Sequence, residues 1–172
     1  MISIKDKKSL ENIFAQDFAT PYFPVLAELY LEEGDLRRAK LVCEVGLQHD
    51  SENDCGMFVL AKVSLSENKP AIAEKWLKRV IDSNPSNFNA IRMLIHVEFT
   101  LNRSFKTIGR YIKKITDYVP DDTECSNWLS DIGAKKPVKK IQKKSEKNID
   151  HIVVVKPNIK DNMKRSSSYN LE

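Results

Sequence analysis

Apolar residues recur at helical spacing along most of this chain. Phe23, Leu26, Ala27 and Tyr30 share one helix face, and Leu36, Ala39, Cys43, Gly46 and Leu47 share another a few residues on. Gly34-Asp35 parts the two runs, and a glycine there ends a helix in the left-handed conformation without steric cost. The small residues Ala39 and Gly46 let neighbouring helices approach closely. Ile72, Ala73, Trp76, Leu77, Val80 and Ile81 form a further apolar face, closed at Asn84-Pro85 because proline cannot continue a helix. Leu10, Ile13, Phe14 and Phe18 predict a leading helix over about 9–18. Trp128, Leu129 and Ile132 predict a trailing one over about 122–132. It begins at Asp121-Asp122-Thr123-Glu124, where acids suit the positive end of the helix dipole, and stops at Gly133.

The pattern repeats every 34 residues. Leu26-Ala27 returns as Leu60-Ala61, Ala39 as Ala73 and Leu47 as Ile81, while Asn68 and Asn102 take the place of Gly34. Asparagine is the next-best residue for a left-handed helix end. A third copy carries Ile91, Leu94 and Ile95, and Pro120 lies 35 residues after Pro85. There Thr107 or Ile108 stands where alanine is expected, with one extra residue placed in the second helix. A fixed period of this length is the mark of stacked helix pairs, here over about 20–53, 54–87 and 88–121.

The residues Leu-Ala-x-x-Tyr, then glycine, alanine and a small residue before leucine, resemble the tetratricopeptide-repeat (TPR) family, in the form of a small bacterial-type TPR domain protein. The resemblance covers about 100 of the 172 residues. It implies an all-α helix-turn-helix solenoid, a right-handed superhelix of about three repeats between capping helices. The implied function is non-catalytic protein binding by an adaptor or scaffold, with an unidentified protein or peptide lying in a concave groove lined by the first helix of each pair. Groove positions then fall in three columns: Pro24, Phe58, Arg92; Glu28, Lys62, His96; and Leu31, Leu65, Phe99. The last is an apolar stripe that either faces a partner or packs on the groove floor. The second reads more simply as solvated charge. Some TPR modules hold a chaperone's C-terminal carboxylate with cationic and amide side chains. The matching positions here are Pro24, Glu28, Val59, Asn89 and Met93, which supply no cation, so binding of that kind is not expected.

Composition adds a boundary. Residues 134–172 hold 11 Lys/Arg against 4 Asp/Glu, a net of +7, whereas residues 1–133 hold 17 against 20, a net of −3. We therefore expect a TPR domain over 1–133 and a basic, disordered tail over 134–172. The tail opens with Lys135, Lys136, Lys139, Lys140, Lys143, Lys144 and Lys147. Such a segment can neutralise phosphates, which makes tail-mediated binding to nucleic acid or an anionic surface the alternative function. The apolar run Ile152–Val155 reads as a strand or as a peptide able to fold back onto the groove. No stretch has the apolar length to span a bilayer, and Met1–Glu11 lacks a signal-peptide core, so a cytoplasmic location is expected. Cys43, Cys55 and Cys125 form no CxxC pair, and His49, His96 and His151 lack ligand spacing, so neither metal nor cofactor is expected. No GxSxG, HExxH or P-loop pattern is present, and the paired acids Glu32-Glu33 and Asp121-Asp122 diverge on a helix, so no catalytic residue is assigned.

Overall fold

The computed structural model describes residues 6–135, and these form helices joined by short turns. In chain order they are α1 (Lys7–Gln16), α2 (Phe23–Glu32), α3 (Leu36–His49), α4 (Asp54–Ser66), α5 (Pro70–Ser83), α6 (Phe88–Thr100), α7 (Phe105–Thr116) and α8 (Thr123–Lys135). Most starts carry a side-chain cap that satisfies an otherwise orphaned backbone N–H. Asp35 accepts from Arg38 N at 2.9 Å, Asn53 from Gly56 N at 2.8 Å, Asn87 from Ala90 N at 3.0 Å and Asp122 from Cys125 N at 2.8 Å. Helices α2 and α5 start with a proline in the first turn instead, where its missing N–H costs nothing. The residue ending the turn of each pair has positive φ: 78° at Gly34, 57° at Asn68 and 51° at Asn102, as their register predicts.

The ends differ from expectation in detail. Helix α1 starts two residues early, because Asp6 caps it by accepting from Lys8 N and from the Ser9 hydroxyl. It closes at Gln16, which leaves Phe18 outside the helix and exposed. Helix α8 runs through Gly133 to Lys135, so this glycine does not stop it, and Ala134 and Lys135 are helical rather than part of the tail. Lys136, Lys139, Lys140, Lys143, Lys144, Lys147 and the Ile152–Val155 run lie outside the described residues.

Two apolar clusters make the core. One joins Leu10 to Phe23, Leu26, Tyr30, Val42 and Cys43, and the other runs from Leu77 through Leu94 and Ile112 to Trp128 and Ile132. Helix α4 feeds both, giving Val59, Leu60 and Val63 to the first and Met57 and Ala61 to the second. The Phe23 ring sits between two helices that have lost their side chains at that point. A Cβ at Gly46 on α3 or at Gly56 on α4 would fall closer than 3.0 Å to the ring. Gly46 thus has the close-approach role its small size predicts, whereas Gly56 carried no signal in the 34-residue pattern.

The third pair departs in a way the sequence misplaced. The extra residue lies in the turn, where Arg103 and Ser104 follow Asn102 before α7, and not in the second helix. Ile108, fully buried, occupies the alanine place, and Thr107 is only half-buried. The added turn residue is used: Arg103 donates to Glu74 on α5 at 2.7 Å. Glu74 also pairs with Lys78, and Lys78 lies 3.1 Å from Glu98 Oε1 on α6. Burial works against the Glu74 charge, but Arg103 and Lys78 outweigh it and hold its carboxyl below the usual range. Glu98 is 1% exposed, and neither of its oxygens accepts a well-directed hydrogen bond.

Candidate partner-binding groove

The first helices of successive pairs are bridged by charged side chains at their outward positions. Lys62 on α4 donates to Glu28 on α2 at 2.6 Å, a pair spaced by 34 residues. The Lys62 ammonium also stands 5.1 Å from the centre of the Phe58 ring. Arg92 on α6 forks toward α8, donating to both Asp122 oxygens and to Glu124 Oε2 at 2.5 Å. This bidentate pairing, helped by the Cys125 N–H, holds the Asp122 carboxyl well below the ordinary aspartate range and pushes the Arg92 guanidinium up. His96 Nε2 lies 3.2 Å from Glu124 Oε1, and its ring meets Trp128 edge-on at 5.2 Å.

Between α4 and α6 these residues surround a shallow depression of about 390 Å³, lined by Phe58, Lys62, Asn89, Arg92, Met93 and His96. Its accessible lining is mostly apolar, and Phe58 and Met93 within it are half-buried against the core. Four residues of the first two sequence columns therefore converge there. Pro24 does not, because it is buried in the first turn of α2. Leu31, Leu65 and Phe99 are each half-buried and packed on the core clusters, so this column contributes to the floor while keeping part of its surface outward. Asn89 and Met93 escaped the three columns. The signal that could have found them is their position one turn before Met93 and His96 on the outward face of α6. At the carboxylate-clamp positions, Pro24 and Val59 are buried and Glu28 is tied to Lys62, so no cation is presented there.

All three cysteine thiols are held above the ordinary thiol range. Burial pushes the Cys43 thiol up to about 12, and burial with the neighbouring Asp122 pushes Cys125 up to about 11. Cys55, although exposed, is also raised, by partial burial and by Asp54. Among the described residues, no helix is long and apolar enough to cross a membrane.

The fold is that of TPR proteins. One solved structure with this architecture is the first TPR of Spaghetti (RPAP3) bound to an HSP90 peptide, SRMEEVD. It superposes with a TM-score of 0.56 at 19% identity, over 65% of this chain and 90% of that chain. Another is YrrB, a TPR protein with an unusual peptide-binding site, with a TM-score of 0.65 at 16% identity over 77% of this chain and 69% of that one. No protein-family model matches the sequence, and neither does any curated protein. The likeness is one of fold: the described residues form an α-helical repeat of the TPR type.

Proposed function

We propose that this chain is a non-catalytic protein-interaction module, an adaptor or scaffold component, that holds a short segment of a partner protein across α2, α4 and α6. The observation that carries this reading is the depression over Phe58 and Met93, an apolar floor within a rim whose cations are already neutralised. Lys62 faces Glu28, and Arg92 faces Asp122 and Glu124, so an acidic terminus gains little by entering. A bulky apolar side chain gains by removing itself and the floor from water, while the exposed Asn89 amide is free for the backbone of the segment. One structural neighbour is bound to an HSP90 peptide and the other has an unusual peptide-binding site, which supports a peptide-binding use of this fold. Glu28, Leu31, Leu65 and Phe99 extend the route along the groove.

Selection of peptides from a random library against the full chain, followed by titration of the best binder, tests this. The selected segments should carry a bulky apolar residue and little negative charge. Met93→Asp should weaken them by about tenfold or more, since it buries an unpaired charge beneath the apolar anchor, and should leave the far-ultraviolet circular dichroism unchanged. Binders that tolerate both Met93→Asp and Phe58→Ser would place the interaction elsewhere.

A further inference from the structure

Charge on the described residues is mostly settled internally. Lys7, Arg38, Lys40, Lys62, Lys69, Lys78, Arg79, Arg92, Arg103 and Lys113 each lie within ion-pair distance of a carboxylate. Among the described residues whose side chains are placed, the cations left without such a partner are Lys8, Arg37, Lys75, Lys106, Arg110 and Lys114. The first three sit on three different helices. The other three sit together on α7, which carries no acidic residue. Lys106, Arg110, Lys113 and Lys114 follow the spacing i, i+4, i+7, i+8, so they form one stripe. All four are exposed, and Lys113 shares its charge with Asp117 at 2.7 Å. The stripe is about 12 Å long at the rise of an α-helix. Ile108, Ile112 and Ile115 fill the other side of α7 and are wholly buried, so the stripe stands on a rigid support.

We infer that the outward face of α7 is a docking surface for the phosphate backbone of nucleic acid. A concentrated row of unpaired cations on a body of net −3 is the footprint that a regular polyanion neutralises by releasing its counterions. A lipid surface fits less well. Helices that lie in a membrane interface insert apolar residues beside their cations, and those of α7 are committed to the core. The nearest exposed apolar residues, Tyr118 and Val119, follow the end of the helix, and the Tyr118 ring rests on Phe88 at 5.3 Å. The sequence also holds a second cationic stretch, with 11 Lys/Arg against 4 Asp/Glu over 134–172. Recognition is of charge and spacing, independent of base sequence.

The test is fluorescence anisotropy of a labelled 20-base-pair duplex with the full chain across a salt series. The variant Lys106→Gln, Arg110→Gln, Lys114→Gln should flatten the plot of log affinity against log salt by about 2–3, at roughly 0.9 per lost phosphate contact, and weaken low-salt binding by about tenfold or more. The charge-matched variant Lys8→Gln, Arg37→Gln, Lys75→Gln should behave as the parent. The proposal is overturned if both variants lose equally, since the effect is then net charge. It is also overturned if the α7 variant keeps the parent slope, since binding then belongs to the tail lysines. Phosphatidylserine vesicles bound through α7 by a chain that ignores the duplex would overturn it in favour of a membrane.

Discussion

Tyr30 and Glu98 occupy the same place in the first and third helix pairs, 68 residues apart, and the molecule treats them in opposite ways. The Tyr30 ring is buried in the core, with Lys7 4.5 Å and Arg38 4.7 Å from its centre, but its hydroxyl reaches the edge and donates to Glu11 at 2.7 Å. Ser64, at the same place in the middle pair, turns its hydroxyl back onto the Leu60 carbonyl at 2.8 Å. Glu98 has neither the reach of tyrosine nor the compactness of serine, so its charge stays inside and depends on Lys78 from the neighbouring helix. The repeat dictates how deeply the position is buried. It does not dictate the polar chemistry found there, which each pair answers with whatever its neighbours supply.

The largest expected effect comes from removing that difference. Glu98→Met should raise unfolding stability by about 1–3 kcal/mol, since a buried charge pair is often no better than an apolar side chain of similar size. Lys78 keeps Glu74 as a partner in this variant. Tyr30→Phe should instead lower stability by about 1 kcal/mol through loss of one hydrogen bond. Urea titration of both variants decides it, and equal losses would mean that Glu98 is as well accommodated as Tyr30.

Next come two helical glycines that look alike in sequence. An alanine at Gly46 collides with the Phe23 ring, which Gly56 confines from the other side. Overpacking costs about 1–3 kcal/mol and improved helix propensity recovers roughly 1, so Gly46→Ala should be destabilising by up to about 2 kcal/mol in the same titration. Gly109 on α7 has open space where its Cβ would be, and Gly109→Ala should stabilise by about 0.5–1 kcal/mol. A gain at both positions would show that the Phe23 seat can relax.

The smallest effect concerns acid. The Asp122 carboxyl is held below its ordinary value, chiefly by Arg92, so it contributes stability that is present above about pH 4 and lost as the pH falls from there through its own lowered value. Asp122→Asn should therefore narrow the gap between neutral and acidic thermal midpoints. Asp6, Asp35, Glu67 and Glu74 are lowered as well, so part of the acid sensitivity should remain.

The backbone plan was legible because it rests on local rules. Leu26-Ala27 and Leu60-Ala61 mark the packing face, and Gly34, Asn68 and Asn102 mark turns that need a left-handed residue. What eluded sequence reading depends on distances across helices. Glu28 and Lys62 looked like independent solvated charges, but adjacent helices place them 2.6 Å apart. Arg92 looked like a groove cation until the start of α8 supplied Asp122 and Glu124. The surplus residue of the third pair reads from sequence as part of the second helix, whereas it lies in the turn. Only the Arg103–Glu74 pairing shows what it does. Lys106, Arg110 and Lys114 drew no notice beside the denser lysines of the tail, because their being unpaired is a property of their surroundings.

Helix α4 belongs to both halves of the core, and this bears on how the molecule comes apart. In a linear array each unit is held by its neighbours, and α4 has apolar contacts to lose on either side. Cutting the chain within α4 or beside it strips one cluster of Val59, Leu60 and Val63 or the other of Met57 and Ala61. Neither half then keeps a closed interior. The array therefore frays inward from α1 and α8 rather than parting at its centre, with the slowest amide exchange on α4.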